Sequence, residues 1–354
     1  MEKRAGIFWT FDTMINKHIV LHKPGKFEYK ENDIDIKLSE GEALIQIKKI
    51  GVCGTDYHAF KGNQPFFSYP RVLGHELGAE IIQLHSATKS HKIRDRVAVE
   101  PYLNCGKCQP CRNNKSNCCE QLKVLGVHVD GGMASFLKVP VNKLHRSSVL
   151  SFEHLATIEF LGIGAHAVER AEIKKGSTAL VIGAGPIGLS VVQFAKLKGI
   201  KVVVMDFNKN RLKFAESQLE ADHTICPDQD FSGDNLREIL NGDLPDVVFD
   251  ATGNKASMEN AFNFVCSGGK LIYVGLFIGD VQFHDPLFHK NEITLMATRN
   301  ALPSEFQKII SLMEQNKIDI NQWITHSCNF KEFPNTIEKW IDPDQMVIKG
   351  MISV

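Results

Sequence analysis

Residues 178–190 read TALVIGAGPIGLS: a short apolar run, glycines at 183, 185 and 188, then the opening of an apolar helical pattern. The G-x-G-x-x-G spacing says little alone, because glycine is common in turns. Its setting makes it informative. It follows a strand pattern, opens a helical one, and is followed by KVVVMD (201–206), whose last residue is a carboxylate. Each position has a use in holding a dinucleotide. Gly183 permits the tight turn, Gly185 lets the backbone approach a pyrophosphate, and Gly188 lets the helix pack closely on the strand. The helix opening at Pro186 and Ile187 turns the free N–H groups of its first turn toward the phosphates. Asp206 is placed to accept hydrogen bonds from the adenosine ribose hydroxyls and to repel a 2′-phosphate. NAD is therefore expected rather than NADP, a preference that the nearby Lys209 and Arg211 moderate. The plain alternative for Asp206 is a surface aspartate ending a strand.

Outward from this stretch, PDVVFDATG (245–253), GKLIYVGL (269–276) and EITLMAT (292–298) are further short apolar, β-branched runs. Helical patterns such as PIGLSVVQFAKLKG (186–199) and RLKFAESQLEA (211–221) lie between several of them. Alternation of buried strand and helix predicts a doubly wound parallel sheet. Before about residue 153 the character differs. EALIQIKKI (42–50), GAEIIQL (78–84) and RVAVEPY (96–102) are β-type runs bounded by Gly and Pro. The 354 residues thus divide into two architectures, with no internal repeat.

Composition narrows the function classes. Hydrophobic residues make up 43% and charged residues 23%, as in a folded globular protein. Lys+Arg and Asp+Glu both number 41, so no basic excess favours nucleic acid or an anionic membrane as partner. MEKRAGIFWTFDTM (1–14) has no apolar leader run, and no segment has the ~18 continuous apolar residues of a membrane span. The expected location is the cytoplasm.

That setting bears on CGKCQPCRNNKSNCC (105–119). A reducing compartment keeps thiols free, so a tight cysteine cluster there more often holds metal than disulfides. Cys105, Cys108, Cys111 and Cys119 form C-x2-C-x2-C-x7-C, a spacing that lets four thiolates converge on a tetrahedral Zn²⁺. A site of four cysteines is closed to water and hence structural. Cys118 is one thiol more than needed, and the spacing favours Cys119. An iron–sulfur cluster is the main competitor.

A cysteine lobe of this kind placed before a dinucleotide fingerprint resembles the zinc-dependent medium-chain alcohol dehydrogenase family. GVCGTDYH (51–58), LGHELGAEI (73–81), DRVAVEP (95–101), DGGMASF (130–136), VIGAGPIG (181–188) and ATG (251–253) extend the resemblance over essentially the whole chain. The polyol and sugar dehydrogenase branch is closest in character. The resemblance implies an α/β chain with a GroES-like, mostly-β catalytic domain (1–155 and 298–354) and a Rossmann nucleotide domain (156–297). It also implies two zinc ions per subunit and a homo-oligomer, dimer or tetramer.

The resemblance further assigns residues. Cys53, His75 and Glu76 match the catalytic zinc ligands. Each alone reads more readily as a small buried thiol, a core histidine or a surface charge; jointly, inside these motifs, they resemble the catalytic site. Glu159, in TIEFLGIGAHAVERA, falls where the family has a glutamate that approaches the metal directly or through water, and it is expected to exchange with Glu76. Phe160 stands where the family usually has proline. Asp56 is expected to accept a hydrogen bond from His75 and fix its tautomer. Thr55 matches the residue that takes the substrate's proton, and His58 the relay toward solvent. Arg299 is expected to face the substrate, and Asn300 follows it on the cofactor side. Val274 and Leu276 lie where family backbone meets the nicotinamide carboxamide. The implied reaction is oxidation of a secondary alcohol of a polyol, sugar or sugar acid, by hydride transfer to NAD. Oxidation of L-threonine, or a non-catalytic relative keeping only the fold, are the alternatives.

Overall fold

The computed structural model describes residues 13–65 and 67–354. The stretch read for a leader thus lies outside the described residues up to position 12.

The alternating half forms the expected parallel sheet. Its six strands run in the order His223–Ile225, Lys201–Met205, Thr178–Ile182, Val247–Asp250, Lys270–Tyr273, Thr294–Ala297, with every pairing parallel. Strand Thr178–Ile182 begins the sequence but sits in the middle, and the order turns back between it and Val247–Asp250. A crevice therefore opens beyond the carboxyl ends of these two strands, the usual binding place in such sheets. Residues such as Leu180, Val181, Val203 and Phe249 are fully buried, because helices cover both faces. Continuous apolar strands, rather than alternating ones, are what that burial demands.

The other half is a mostly antiparallel sheet ordered Leu144–Ser147, Arg96–Val99, Glu76–Leu84, Glu42–Val52, Lys349–Ser353, Ile324–Asn329, its last pair parallel, with Phe136–Pro140 also pairing to Glu42–Val52. The last two strands come from the C-terminal end of the chain. Gly350 lies opposite Val52, and Gly51 opposite Glu76, so chain segments some 300 residues apart meet at one corner of this sheet.

Helix Phe152–Arg170 joins the halves, capped by Ser151, whose hydroxyl accepts from the His154 N–H. It is buried nearly all round, since it packs on strand Glu76–Leu84 on one side and helix Pro186–Leu197 on another. The latter crossing is close. A Cβ at Gly164 would stand 2.1 Å from Ser190 Oγ, so only glycine fits. Among the described residues no helix is long and apolar enough to cross a membrane.

Candidate metal centres and dinucleotide cradle

The glycine loop is built as its spacing suggests. Gly183 has φ +94°, and a Cβ at Gly188 would lie 1.8 Å from the Gly183 carbonyl oxygen, so the turn closes only without side chains. Gly185 differs, because a Cβ there would meet no protein atom within 4 Å. Its bare backbone faces open space ahead of helix Pro186–Leu197, whose N-terminus no side chain caps. That is the shape of a phosphate cradle. Asp206 Oδ2 accepts from the Ala184 N–H (2.6 Å) and Oδ1 from the Asn208 N–H (2.7 Å), which fixes the carboxylate beside the loop. Arg211 lies in the first turn of helix Lys209–Leu219, half-buried, with its N–H on the Asn208 cap. Val274 follows strand Lys270–Tyr273, its N–H on the Asp250 carbonyl at 2.8 Å. Leu276, 64% exposed, packs its backbone against Gly253 at the same sheet edge.

In the antiparallel half, one ligand atom each from Cys53, His75 and Glu76 lie within 4.8 Å of one another. Cys53 caps helix Gly54–Lys61, and the Asp56 carboxylate reaches back to the Cys53 N–H at 2.9 Å, so the thiol is set by a reciprocal cap. The expected hydrogen bond from His75 to Asp56 is not formed. Their nearest atoms, His75 Nδ1 and Asp56 Oδ1, are 3.9 Å apart, because the other Asp56 oxygen is committed to the Cys53 amide. Both atoms are buried and without a hydrogen-bond partner among the described residues. Burial alone would lower the affinity of His75 for a proton. The negative charges of Asp56, Cys53 and Glu159 outweigh it, and the imidazole is held well above its usual range. A buried cluster that attracts positive charge this strongly, with a thiol, an imidazole and carboxylates converging, suits a dication.

Glu76 is fully buried, and Lys349, equally buried, donates to both of its oxygens at 2.7 and 2.8 Å. The ammonium also reaches the Val52 carbonyl (3.3 Å) and lies 4.2 Å from the centre of the Phe160 ring. A Cβ at Gly51 would stand 2.1 Å from Glu76 Oε2, so glycine there makes room for the carboxylate. Glu159 lies outside the three-residue cluster. It is buried and accepts a hydrogen bond from the Tyr102 hydroxyl. Burial pushes its carboxyl up, while His75 draws it down. Thr55, half-buried, and His58, exposed, are three residues apart on helix Gly54–Lys61 and share a face.

The cysteines of the lobe converge as well. Sulfur atoms of Cys105, Cys108, Cys111 and Cys119 lie within 4.8 Å of one another, while Cys118 is exposed outside the group. No disulfide forms among the nine cysteines. Backbone amides point at the sulfurs: Cys108 N–H to Cys105 Sγ (3.4 Å), Cys105 N–H and Gln121 N–H to Cys119 Sγ (3.3 and 3.4 Å). The amides of Lys107 and Cys108 draw the Cys105 thiol down to about 6, whereas burial pushes Cys119 up to about 11. Four thiols this close, one of them readily ionised, fit a metal of thiolate preference. Arg299 is exposed, and its charge reaches His128. Asn300 has φ +56°.

Two residues that hold the carboxylates of the candidate site were not singled out in the sequence, Lys349 on Glu76 and Tyr102 on Glu159. Lys349 had a legible signal, a lone lysine inside the apolar strand MVIKGMISV (346–354). Tyr102 had none, since a tyrosine after a strand is most often core.

With this geometry in hand, similarity to known proteins is specific. Residues 39–149 match the alcohol dehydrogenase GroES-like domain, and residues 186–315 the zinc-binding dehydrogenase domain. The chain is 42% identical to an L-galactonate-5-dehydrogenase of Escherichia coli K12 over 335 residues, 95% of this chain and 98% of that protein. It is 29% identical to a sorbitol dehydrogenase of Bacillus subtilis 168, over 89% and 91% of the two. Among solved structures, the rspB alcohol dehydrogenase of E. coli CFT073, complexed with NADH, superposes with a TM-score of 0.90 at 28% identity, over 96% of this chain and 99% of that one. The chain belongs to the zinc-binding alcohol dehydrogenase family. It is an oxidoreductase of the GroES-like plus Rossmann fold, as the sequence motifs led one to expect.

Proposed function

We propose that this chain oxidises a secondary alcohol of a sugar acid or a related polyol, with NAD as the acceptor. The observation that carries the reading is the convergence of Cys53, His75 and Glu76 in a buried, cation-seeking cluster on a chain that also builds the glycine cradle. Likeness to an L-galactonate-5-dehydrogenase favours the sugar-acid end of the range. Initial rates of NADH formation on a panel of aldonates, polyols and L-threonine test it. Activity confined to L-threonine would overturn the substrate class.

Cys53 and His75 would hold the catalytic zinc, with Glu76 or Glu159 as third protein ligand. When bound, zinc supplies polarisation of the substrate hydroxyl, and NAD the acceptor for hydride. The chain's own residues do the remainder. Thr55 Oγ1 accepts the hydroxyl proton as it gives up its own, and His58 passes a proton on to solvent, the two sharing one helix face. Arg299 binds the substrate carboxylate or hydroxyls through its planar fork of donors. Asp206 orients the ribose end, with Val274, Leu276 and Asn300 on the nicotinamide side.

Asp206→Ser removes the charge facing a 2′-phosphate. Such a contact is worth from ~1 kcal/mol in water to ~4 kcal/mol near a protein surface. The ratio of kcat/KM for NADP over NAD is expected to rise about tenfold or more. A wild-type enzyme that already prefers NADP would refute the charge argument.

The four-cysteine group we assign to a second, structural zinc. Cys108→Ser is expected to lose one zinc per chain by metal analysis and to lower the melting temperature. Unchanged zinc content and stability would remove that site. We place the enzyme in the cytoplasm, where nine free thiols persist. A homo-oligomer, dimer or tetramer, is supported by the edge strand Thr294–Ala297, whose outer side is unpaired among the described residues and whose Leu295 is exposed.

A further inference from the structure

The segment between the last parallel strand and helix Pro303–Glu314 carries Arg299 and Asn300. It is pinned from the cysteine lobe. Asn117 lies between Cys111 and Cys119, on the short turn Ser116–Cys118, in a run of otherwise exposed or half-exposed polar residues. Yet it is only 3% exposed. A buried carboxamide needs partners, and these are on the 299–302 segment and its supports. Asn117 Nδ2 donates to the Arg299 carbonyl at 3.1 Å, and Asn300 Nδ2 donates to the Asn117 carbonyl at 3.4 Å.

The rest of the network fixes the orientation of each group. A carbonyl can only accept, so the Asn117 amide must turn its nitrogen toward Arg299. That nitrogen is also 3.1 Å from His166 Nε2, which therefore accepts, leaving the ring proton on Nδ1. His166 Nδ1 donates to Glu305 Oε1 at 2.9 Å, and Glu305 Oε2 accepts from the Leu302 N–H at 2.6 Å. Four separate pieces of chain, the lobe, helix Phe152–Arg170, the 299–302 segment and helix Pro303–Glu314, are thus locked into one network. One turn further along, Arg170 Nε holds the Ala297 carbonyl at 2.7 Å. Between these pins, Asn300 takes a left-handed conformation, one that asparagine adopts more readily than most residues.

We propose that Asn117 is a positioning residue for substrate binding. Through it the cysteine lobe sets the backbone of Arg299 and Asn300 and so aims the Arg299 guanidinium, giving the lobe a part in specificity beyond stability. This rests on the reading of Arg299 as the residue that meets an anionic or hydroxyl-rich substrate.

The test uses the full-length, zinc-loaded enzyme with Asn117→Ala, and Asn117→Asp as a variant of equal size lacking the donor. Both are expected to keep their zinc content, to exchange the Ala301 and Leu302 amides about tenfold faster, and to raise KM for an aldonate about tenfold, with kcat within about twofold. Arg299→Ala is expected to raise KM similarly, and Asn117→Ala added to it to raise KM no further. Unchanged exchange at 299–302, or an unchanged KM in both Asn117 variants beside a raised KM in Arg299→Ala, overturns the role of Asn117 alone. A KM unmoved by Arg299→Ala overturns the reading of Arg299 and the proposal with it. Should either Asn117 variant lose zinc, His166→Ala, which removes the buttress while leaving every residue of the lobe in place, is expected to shift exchange and KM the same way. Failure to do so counts against the proposal equally.

Discussion

His75→Ala abolishes metal-dependent alcohol oxidation while NADH still binds: this is the largest single effect expected from the site. His75 is buried, carries an unpartnered Nδ1, and sits among Cys53, Asp56 and the two glutamates. Without the imidazole, Cys53 and Glu76 remain, and Glu76 is already held by Lys349 through both oxygens. Changing a group behind a metal ligand typically costs roughly 10–100-fold, so losing a ligand itself is expected to cost on the order of a thousandfold in kcat. NADH affinity, followed by fluorescence titration, is expected to change little. The cradle at Gly183, Gly185 and Gly188 stands on the parallel sheet, whereas Cys53, His75 and Glu76 stand on or beside the antiparallel one. Loss of both activities together would mean that His75 acts through the fold instead of the metal.

The second large effect is on stability. Lys349→Met keeps much of the side chain's bulk but leaves the Glu76 carboxylate buried without its cation, pressed against Gly51. Breaking one partner of a buried pair costs about 3–5 kcal/mol, far more than the net worth of the pair, because the remaining charge is stranded. Denaturant unfolding is expected to show that loss. The double variant Lys349→Met with Glu76→Gln, which strands no charge, is expected to recover most of it. A single variant as stable as wild type, or a double variant no better than the single, would mean that Glu76 finds compensation elsewhere. Zinc-stripped protein is expected to show the larger loss, since a bound dication is the other positive partner within reach of Glu76.

The parallel half of the fold was legible because its physics is local. Strands buried on both faces must be short and apolar, and the turn at Gly183 tolerates no Cβ, so both features are written into a few consecutive residues. The side chains proposed as metal ligands were legible for a similar reason: Cys53 caps a helix, His75 and Glu76 are adjacent, and the lobe's four cysteines span fifteen positions. What remained hidden depends on pairing across the chain. Lys349 reaches Glu76 only because the C-terminal strand inserts beside Glu42–Val52. Asn117 stands inside a polar run with nothing local to set it apart, and only the folded lobe buries it. The Asp56–His75 hydrogen bond was expected from the motif and is absent: the Cys53 amide holds the other carboxylate oxygen, and Oδ1 stops 3.9 Å short of the imidazole. Helix Phe152–Arg170 straddles the domain boundary drawn at 155/156 and packs against elements of both halves.

The most direct test of the zinc-dependent, NAD-linked reading is a single comparison: NADH formation from L-galactonate, and from other aldonates and polyols, by the zinc-loaded enzyme and by the same preparation stripped of metal and then reloaded. The structure leads us to expect turnover with NAD in the loaded protein, none after stripping, and recovery on adding Zn²⁺. Undiminished turnover in the stripped protein, or no reduction of NAD with any of these alcohols by protein that retains its zinc, would contradict it.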